Sequence, residues 1–276
     1  MKLKVDDIQF NILLNKSDLK QDKIPIIFLH GFTGCANDWQ FIFNKLPQKY
    51  LPIAIDLIGH GETDAPEDQK YYSCSSIVHQ IDLIIEQLEI KKFIITGYSM
   101  GGRAVLSYCS KNPHKIIGAI LESTTAGIDD IRLKIERVEL DLLFADKIKS
   151  EGVRSFVDYW FDTPLFESLK KLPQFKQIKN ERNKNNPIGL ANTLAGFSTG
   201  LMTSCWDKLH TLNFPILLFS GELDEKYTGL GKKMQSIFPN AKHQIVSQCG
   251  HNVHLEKPEL FIRFANDFLN SLERTL

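Results

Sequence analysis

The sequence predicts an α/β protein with a mostly parallel central sheet, helices on both faces, and a helical segment inserted before the last strands. Several short apolar runs are continuous rather than alternating, which is typical of strands covered on both faces. These runs are separated by stretches whose apolar residues recur at helical spacing. Together the two patterns indicate strands connected by helices, which is the arrangement that a parallel sheet requires.

The strands and helices of the first part can be assigned in order. The continuous apolar runs predict strands over residues 25–29, 51–57, 92–96 and 116–122. Helical spacing of apolar residues predicts helices over residues 73–88 and 99–110. The second helix is closed by Asn112 and Pro113, a pair that ends helices.

The pattern changes at residue 123. From there to about residue 210 the chain is helical in character, rich in charged residues and Phe, and contains no convincing buried strand. Strand signals return at residues 215–220 and 243–247, and a last helix follows. We therefore predict a core of residues 1–122 and 211–276 and a helical cap of residues 123–210. The last helix presents one apolar face, formed by Leu260, Phe261, Phe264, Phe268 and Leu269.

Composition excludes several classes of protein. The chain has 276 residues, 43% of them hydrophobic, which is enough for a large core and too apolar for a disordered chain. Lys+Arg and Asp+Glu are both 33, a balance that argues against a dedicated nucleic-acid binder. Five scattered cysteines, no signal peptide and no apolar run of about 20 residues predict a cytoplasmic protein without a membrane span.

The segment Gly97-Tyr98-Ser99-Met100-Gly101 has the pattern G-x-S-x-G. It lies directly after a predicted strand and directly before a predicted helix, which is the context in which this pattern exposes a nucleophilic serine. The glycines allow a sharp turn, and the helix N-terminus favours negative charge near the hydroxyl. We therefore predict Ser99 as the catalytic serine.

An acid and a base follow in the order that this arrangement needs. Asp224 and His251 each come after one of the two last predicted strands. His251 could take the Ser99 proton while Asp224 orients the imidazole and stabilises its cation. Glu222 and His254 are alternatives that we rank lower, because Glu222 lies closer to its strand and His254 lies past the turn.

Two backbone amides are candidates for an oxyanion hole, the set of donors that holds negative charge formed during a reaction. The loop His30-Gly31-Phe32-Thr33-Gly34 follows the first buried strand and could supply the amide of Phe32. The second amide would come from Met100, directly after the serine. A metal site or a nucleotide or flavin cofactor is not expected, because the chain lacks their sequence motifs.

Arg103 is the first sign of an anionic substrate. It follows Ser99 by four residues, so both can face the same pocket on one side of a helix. An arginine binds a carboxylate through two parallel hydrogen bonds, although an internal salt bridge is the alternative role. Lys226, two residues after Asp224, could reach the mouth of the same pocket.

Several segments resemble the α/β-hydrolase superfamily and, within it, 2-succinyl-6-hydroxy-2,4-cyclohexadiene-1-carboxylate synthases of menaquinone biosynthesis. The resemblance extends over nearly the whole chain and covers both the core and the insertion. It rests on the segments H-G-F-T-G, D-L-I-G-H-G, G-Y-S-M-G-G-R, L-E-S-T-T-A-G, W-F-D-T-P-L-F, G-L-A-N-T-L-A-G, G-E-L-D-E-K and G-H-N-V-H-L-E-K-P.

The resemblance implies an α/β-hydrolase fold and a lyase without a cofactor. Its substrate would be 2-succinyl-5-enolpyruvyl-6-hydroxy-3-cyclohexene-1-carboxylate, a small polycarboxylate from which pyruvate is eliminated. By the same resemblance, further pocket positions are Tyr98 and Trp160, and cations that hold substrate carboxylates are Arg103, Arg137, Arg182 and Lys226.

Three positions qualify the match. Arg132 is an alternative to Arg137, because the spacing there is loose. Ala126 stands where the family usually has proline, and Phe161 where some relatives have tyrosine. The change at Ala126 removes no catalytic group, whereas Phe161 lacks a hydroxyl contact that a tyrosine could make.

Two other functions stay open at this level. The same three catalytic residues would serve a serine esterase or a carbon–carbon hydrolase with an acyl-serine intermediate, given a largely apolar pocket. A non-catalytic binding protein on the same fold is a third hypothesis. The sequence says nothing about the oligomeric state.

Overall fold

In a computed structural model, which describes residues 1–15, 19 and 21–272, eight strands form one sheet. The strands are β1 (Lys2–Val5), β2 (Ile8–Leu13), β3 (Ile24–Leu29), β4 (Tyr50–Ile55), β5 (Phe93–Tyr98), β6 (Ile116–Glu122), β7 (Ile216–Gly221) and β8 (Ala241–Val246).

The strand order in the sheet is β1-β2-β4-β3-β5-β6-β7-β8. From β4 to β8 all neighbouring strands are parallel, whereas β1 pairs with β2 and β2 with β4 in antiparallel fashion. The carboxyl ends of the parallel strands therefore lie along one edge, where the loops that follow them can meet.

Helices connect and cover the strands. They are α1 (Gln40–Phe43), α2 (Cys74–Gln87), α3 (Met100–Lys111), α4 (Ile131–Phe161), α5 (Phe175–Arg182), α6 (Pro187–Gly196), α7 (Glu225–Ile237), α8 (Val253–Glu256) and α9 (Pro258–Leu272). Short 3₁₀ helices lie at Ala36–Trp39, Gln69–Tyr72, Pro113–Lys115, Pro164–Phe166, Leu169–Lys171 and Trp206–Thr211.

The sheet is covered on both faces, as the continuous apolar runs predict. Along β3, Ile26 and Phe28 belong to one buried apolar cluster, and Ile27 and Leu29 belong to another. Successive side chains of a strand point to opposite faces, so each strand contributes to both cores. This double burial fixes the sheet and holds its loop-bearing edge in place.

The predicted fold class is confirmed, and the six predicted strands are all present with ends that differ by at most two residues. The predictions omitted β1 and β2, where buried and exposed residues alternate in place of a continuous apolar run. They also omitted α7, whose apolar residues are few and separated by glycines and charges.

Residues 123–210 contain α4, α5 and α6 and no strand. Ala145, Ile148 and Phe156 of α4 pack with Leu190 and Ala191 of α6 in an apolar cluster separate from the two sheet faces. The division of the chain into a core and a cap stays a prediction. Among the described residues, no helix is both long enough and apolar enough to cross a membrane.

Candidate active site

Ser99 lies in a sharp turn between β5 and α3. Its backbone has a φ of 50° and a ψ of −107°, a conformation that is unfavourable for an L-residue and typical of a serine held out at a strand–helix turn. The turn needs small neighbours: a Cβ at Gly97 would lie 2.6 Å from the backbone of Gly101. A Cβ at Gly101 would collide with the carbonyl of Leu29 on β3.

His251 joins Ser99 to Asp224. The Ser99 hydroxyl donates to Nε2 of His251 over 3.0 Å, and Nδ1 of His251 donates to Oδ2 of Asp224 over 2.6 Å. Because the Asp224 carboxylate accepts a hydrogen bond from Nδ1–H of His251, Nε2 carries no proton and can accept the one from serine. The imidazole is 2% exposed, so this chain of hydrogen bonds is shielded from bulk water.

Backbone hydrogen bonds fix the acid and the base. Asp224 is the N-cap of α7 and accepts a hydrogen bond from the amide of Tyr227. Buried Glu256 accepts hydrogen bonds from the amides of Gly250 and Asn252, on either side of His251, at 2.8 and 3.2 Å. Both loops are thus held without using the reactive atoms.

The alternative acid and base have other partners. Glu222 accepts hydrogen bonds from the side chain of Ser247 and the amide of Gln248 at the surface. His254 donates a hydrogen bond from Nδ1 to buried Glu122 over 2.8 Å and stacks on Trp39. The structure therefore brings Asp224 and His251, rather than Glu222 and His254, to Ser99.

The two predicted oxyanion donors flank the serine turn. Met100 is the first residue of α3, where a backbone N–H has no partner within the helix. Phe32 lies in the loop after β3, and its amide has no backbone partner among the described residues. Both amides are therefore free to bind a negative charge.

A cavity of about 330 Å³ opens over Ser99 and His251. Tyr98 and Trp160, both predicted as pocket residues, line it, and the Trp160 ring lies 5.7 Å from the ring of Phe32. Burial raises the pKa of the Tyr98 phenol well above its ordinary value, so it stays neutral. The walls from α4 and α6 are mainly apolar, with Phe144, Phe161 and Leu194 among them.

Comparisons with known proteins match this geometry. A family model described as the alpha/beta hydrolase fold matches residues 24–258. A Bacillus subtilis (strain 168) protein, provisionally named a 2-succinyl-6-hydroxy-2,4-cyclohexadiene-1-carboxylate synthase, is 39% identical over 90% of both chains. The synthase of that name from Serratia proteamaculans (strain 568) is 28% identical over 90% of this chain and 94% of its own.

The chain belongs to the α/β-hydrolase family, among these synthases. A solved structure titled MenH from S. aureus is 32% identical and covers 96% of this chain and 98% of its own, with a TM-score of 0.88. This agreement extends through the helical insertion as well as the sheet.

In this family member, two of the four predicted cations form no ion pair with any carboxylate of the residues that the structure describes. Arg103 is 9% exposed, donates from Nη1 to the carbonyl of Phe197 over 2.7 Å and lies over its ring. Lys226 is at the cavity rim and forms no ion pair with any carboxylate of the described residues. Burial, together with nearby Arg137, lowers the pKa of Arg103 to about 10, so it stays charged at neutral pH.

The other two cations are paired within the protein. Arg137 lines the cavity and forms an ion pair with Asp141 at 2.9 Å, whereas the alternative Arg132 is exposed at the start of α4. Arg182 donates from both terminal nitrogens to the two oxygens of Asp38, each over 2.8 Å. A substrate carboxylate would therefore meet these two arginines with their charge largely balanced.

Sequence reasoning missed three residues of this site. Asp38 and Asp141 are the carboxylates that balance Arg182 and Arg137, and Tyr227 places its ring 4.5 Å from His251. The spacing of Arg137 and Asp141 by four residues on a predicted helix was a usable signal. The pair of Asp38 and Arg182, 144 residues apart, leaves no local signal.

Proposed function

We propose that this enzyme is a 2-succinyl-6-hydroxy-2,4-cyclohexadiene-1-carboxylate synthase, a lyase of menaquinone or phylloquinone biosynthesis. It would remove a ring proton from 2-succinyl-5-enolpyruvyl-6-hydroxy-3-cyclohexene-1-carboxylate and eliminate pyruvate. The single observation that carries this proposal is that buried Arg103, in the same cavity as the Ser99–His251 pair, forms no ion pair with a carboxylate within the described part of the chain. A buried unpaired cation is costly, and an anionic substrate would supply the missing partner.

The proposed roles divide between proton transfer and charge binding. His251, oriented by Asp224, takes the Ser99 proton, and the serine oxygen removes the ring proton. The electrons of the C–H bond move through the ring, the C–O bond to the enolpyruvyl group breaks, and the leaving enolate takes up a proton to give pyruvate. The amides of Phe32 and Met100 hold negative charge that develops on the substrate.

The same proposal assigns the pocket. Arg103 and Lys226 bind substrate carboxylates directly, with Arg137 and Arg182 beside them. Tyr98 and Trp160 supply the walls against which the ring packs. The apolar surroundings strengthen the charge contact of buried Arg103, because the effective dielectric there is lower than in water.

The test is to incubate the purified enzyme with the cyclohexene substrate and measure pyruvate through lactate dehydrogenase. The expected result is one pyruvate per substrate consumed, and none with Ser99→Ala. Turnover of p-nitrophenyl esters through an acylated Ser99, without pyruvate release from the cyclohexene, would favour the serine hydrolase instead.

We further propose that the enzyme is cytoplasmic, that it acts on a small anionic substrate, and that it has no nucleic-acid partner. The balanced net charge of the chain supports the absence of a nucleic-acid partner. Cell fractionation with an antibody against the chain would test the location.

A further inference from the structure

The loop that carries the Phe32 amide has an unfavourable backbone conformation. Thr33 has a φ of 65°, in the left-handed region that β-branched residues rarely adopt. The turn is closed by the amide of Gly34, which donates to the carbonyl of Gly31 over 3.0 Å. Such a conformation persists only when surrounding groups hold it.

The contact that holds the Thr33 carbonyl comes from the segment between α5 and α6. Nδ2 of Asn185 donates to the carbonyl of Thr33 over 2.8 Å and to the carbonyl of Arg182 over 2.9 Å. Both partners are acceptors, so they fix which end of the side-chain amide is nitrogen. Asn185 is 9% exposed, and its Oδ1 has no partner among the described residues, so these two donations are the polar contacts that its side chain makes there.

A second contact joins the same two segments. Both terminal nitrogens of Arg182 donate hydrogen bonds to Asp38. Asp38 also accepts a hydrogen bond from the amide of Cys35 over 3.1 Å. The loop is therefore held at Thr33 by Asn185, and the 3₁₀ helix that follows it is held at Asp38 by Arg182. Both contacts come from the helical insertion rather than from the sheet.

Asn192 provides an internal comparison. Its Nδ2 also donates to two backbone carbonyls of the core, those of Pro66 and Glu67, at 3.2 and 2.9 Å. It is similarly buried, at 3% exposed, and neither asparagine lines the cavity; Thr33, which Asn185 holds, lines it, whereas Pro66 and Glu67 do not. The two asparagines thus make the same kind of contact, and they differ in which core loop they hold.

We propose that Asn185 is a positioning residue for the oxyanion hole. By holding the Thr33 carbonyl, it fixes the turn so that the amide of Phe32, one residue earlier, stays directed at the substrate atom on which negative charge develops. The oxyanion hole would then be complete only while the insertion is seated on the core. The inference deepens the proposed function, and it rests on it through the role of the Phe32 amide.

The test compares Asn185→Ala and Asn185→Asp with the matched control Asn192→Ala. Loss of an oxyanion donor lowers kcat by about 10²–10³, and a displaced donor should cost less. We expect kcat for pyruvate release to fall about ten- to hundredfold in both Asn185 variants, with KM within about threefold. Asn192→Ala should keep both constants within about twofold.

A second readout does not depend on the natural substrate. With an uncharged fluorophosphonate, the Ser99 oxygen bonds to phosphorus, fluoride leaves, His251 takes the proton, and the phosphoryl oxygen occupies the oxyanion hole. The rate of this labelling should fall in the Asn185 variants by the same factor as kcat and stay unchanged in Asn192→Ala. Melting temperatures show whether each variant is folded; Asn185→Asp keeps the side-chain shape if alanine does not fold.

Two results would overturn the inference: kcat and labelling rates within twofold of the wild type in the Asn185 variants, or equal losses in Asn192→Ala. If labelling is slower in the Asn185 variants as expected but the wild type releases no pyruvate, the proposed function is rejected and the inference is kept. A wild type that releases pyruvate while both asparagines matter equally would reject the inference alone.

Discussion

One cavity is lined by two regions with different side chains: the loops at the carboxyl edge of the sheet, called the edge below, and residues 123–210, called the insertion. The edge supplies Ser99, Asp224 and His251 from loops fixed by backbone hydrogen bonds and strand pairing. The insertion supplies Arg137, paired with a carboxylate of its own helix, together with much of the apolar wall. The difference suggests that the edge determines which bonds can be broken, whereas the insertion and the neighbouring cations determine which molecule is held there.

Ser99→Ala should produce the largest effect, because it removes the hydroxyl that we propose transfers the proton. We expect pyruvate release to fall by about three orders of magnitude or more, with residual activity from the remaining charge contacts. Substrate affinity, measured by isothermal titration, should change little. A variant that keeps a tenth of the wild-type rate would show that the edge does not supply the chemistry.

Arg103→Ala should have the next largest effect, because it removes the buried cation that we propose binds a substrate carboxylate. Truncating one partner of a buried charge pair costs about 2–5 kcal/mol, or about 30- to 5000-fold in kcat/KM. Arg132→Ala, at an exposed arginine of α4, is the control and should stay within about twofold. Equal effects of the two substitutions would contradict direct binding by Arg103.

Asp38→Asn should affect stability, and its effect should depend on pH. Although burial opposes ionisation, Arg182 holds the pKa of Asp38 below its ordinary value of 3.8. A lowered folded-state pKa contributes stability above pH 3.8 that is lost as pH falls through the folded-state value. Breaking a buried pair costs about 3–5 kcal/mol at neutral pH.

Urea unfolding measured between pH 7 and pH 3 checks this dependence. The difference in the free energy of unfolding between wild type and Asp38→Asn should narrow in the acid range. A constant difference over that range would mean that the carboxylate charge does not stabilise the contact between insertion and core.

Lys226→Met should have the smallest effect, because the ammonium lies at the solvent-exposed rim. Partial desolvation, and then the charge of Arg137, lowers the pKa of Lys226, but exposure to water and salt weakens its attraction for a carboxylate. We expect KM to rise about two- to fivefold. The loss should shrink at high ionic strength, and a loss independent of salt would indicate a buried contact instead.

The sequence predicted the edge far better than the insertion. Apolar runs, the G-x-S-x-G pattern and the order of Ser99, Asp224 and His251 are local signals that together specify the edge. The insertion lacks such signals, because the partners of Arg182 and Asn185 lie in a loop about 150 residues away in the sequence. The charge balance of a cation depends on these distant contacts, so the sequence could suggest Arg182 as a binding residue but could not reveal Asp38.

The separation between chemistry by Ser99, Asp224 and His251 and substrate recognition by the neighbouring cations is tested most directly by two rates measured on Arg103→Ala: pyruvate elimination from the anionic cyclohexene, and labelling of Ser99 by an uncharged fluorophosphonate. If Arg103 binds the substrate and the edge performs the chemistry, the rate of pyruvate elimination falls at least about thirtyfold, and the rate of Ser99 labelling stays within about threefold of wild type. Parallel losses in both rates would contradict the account.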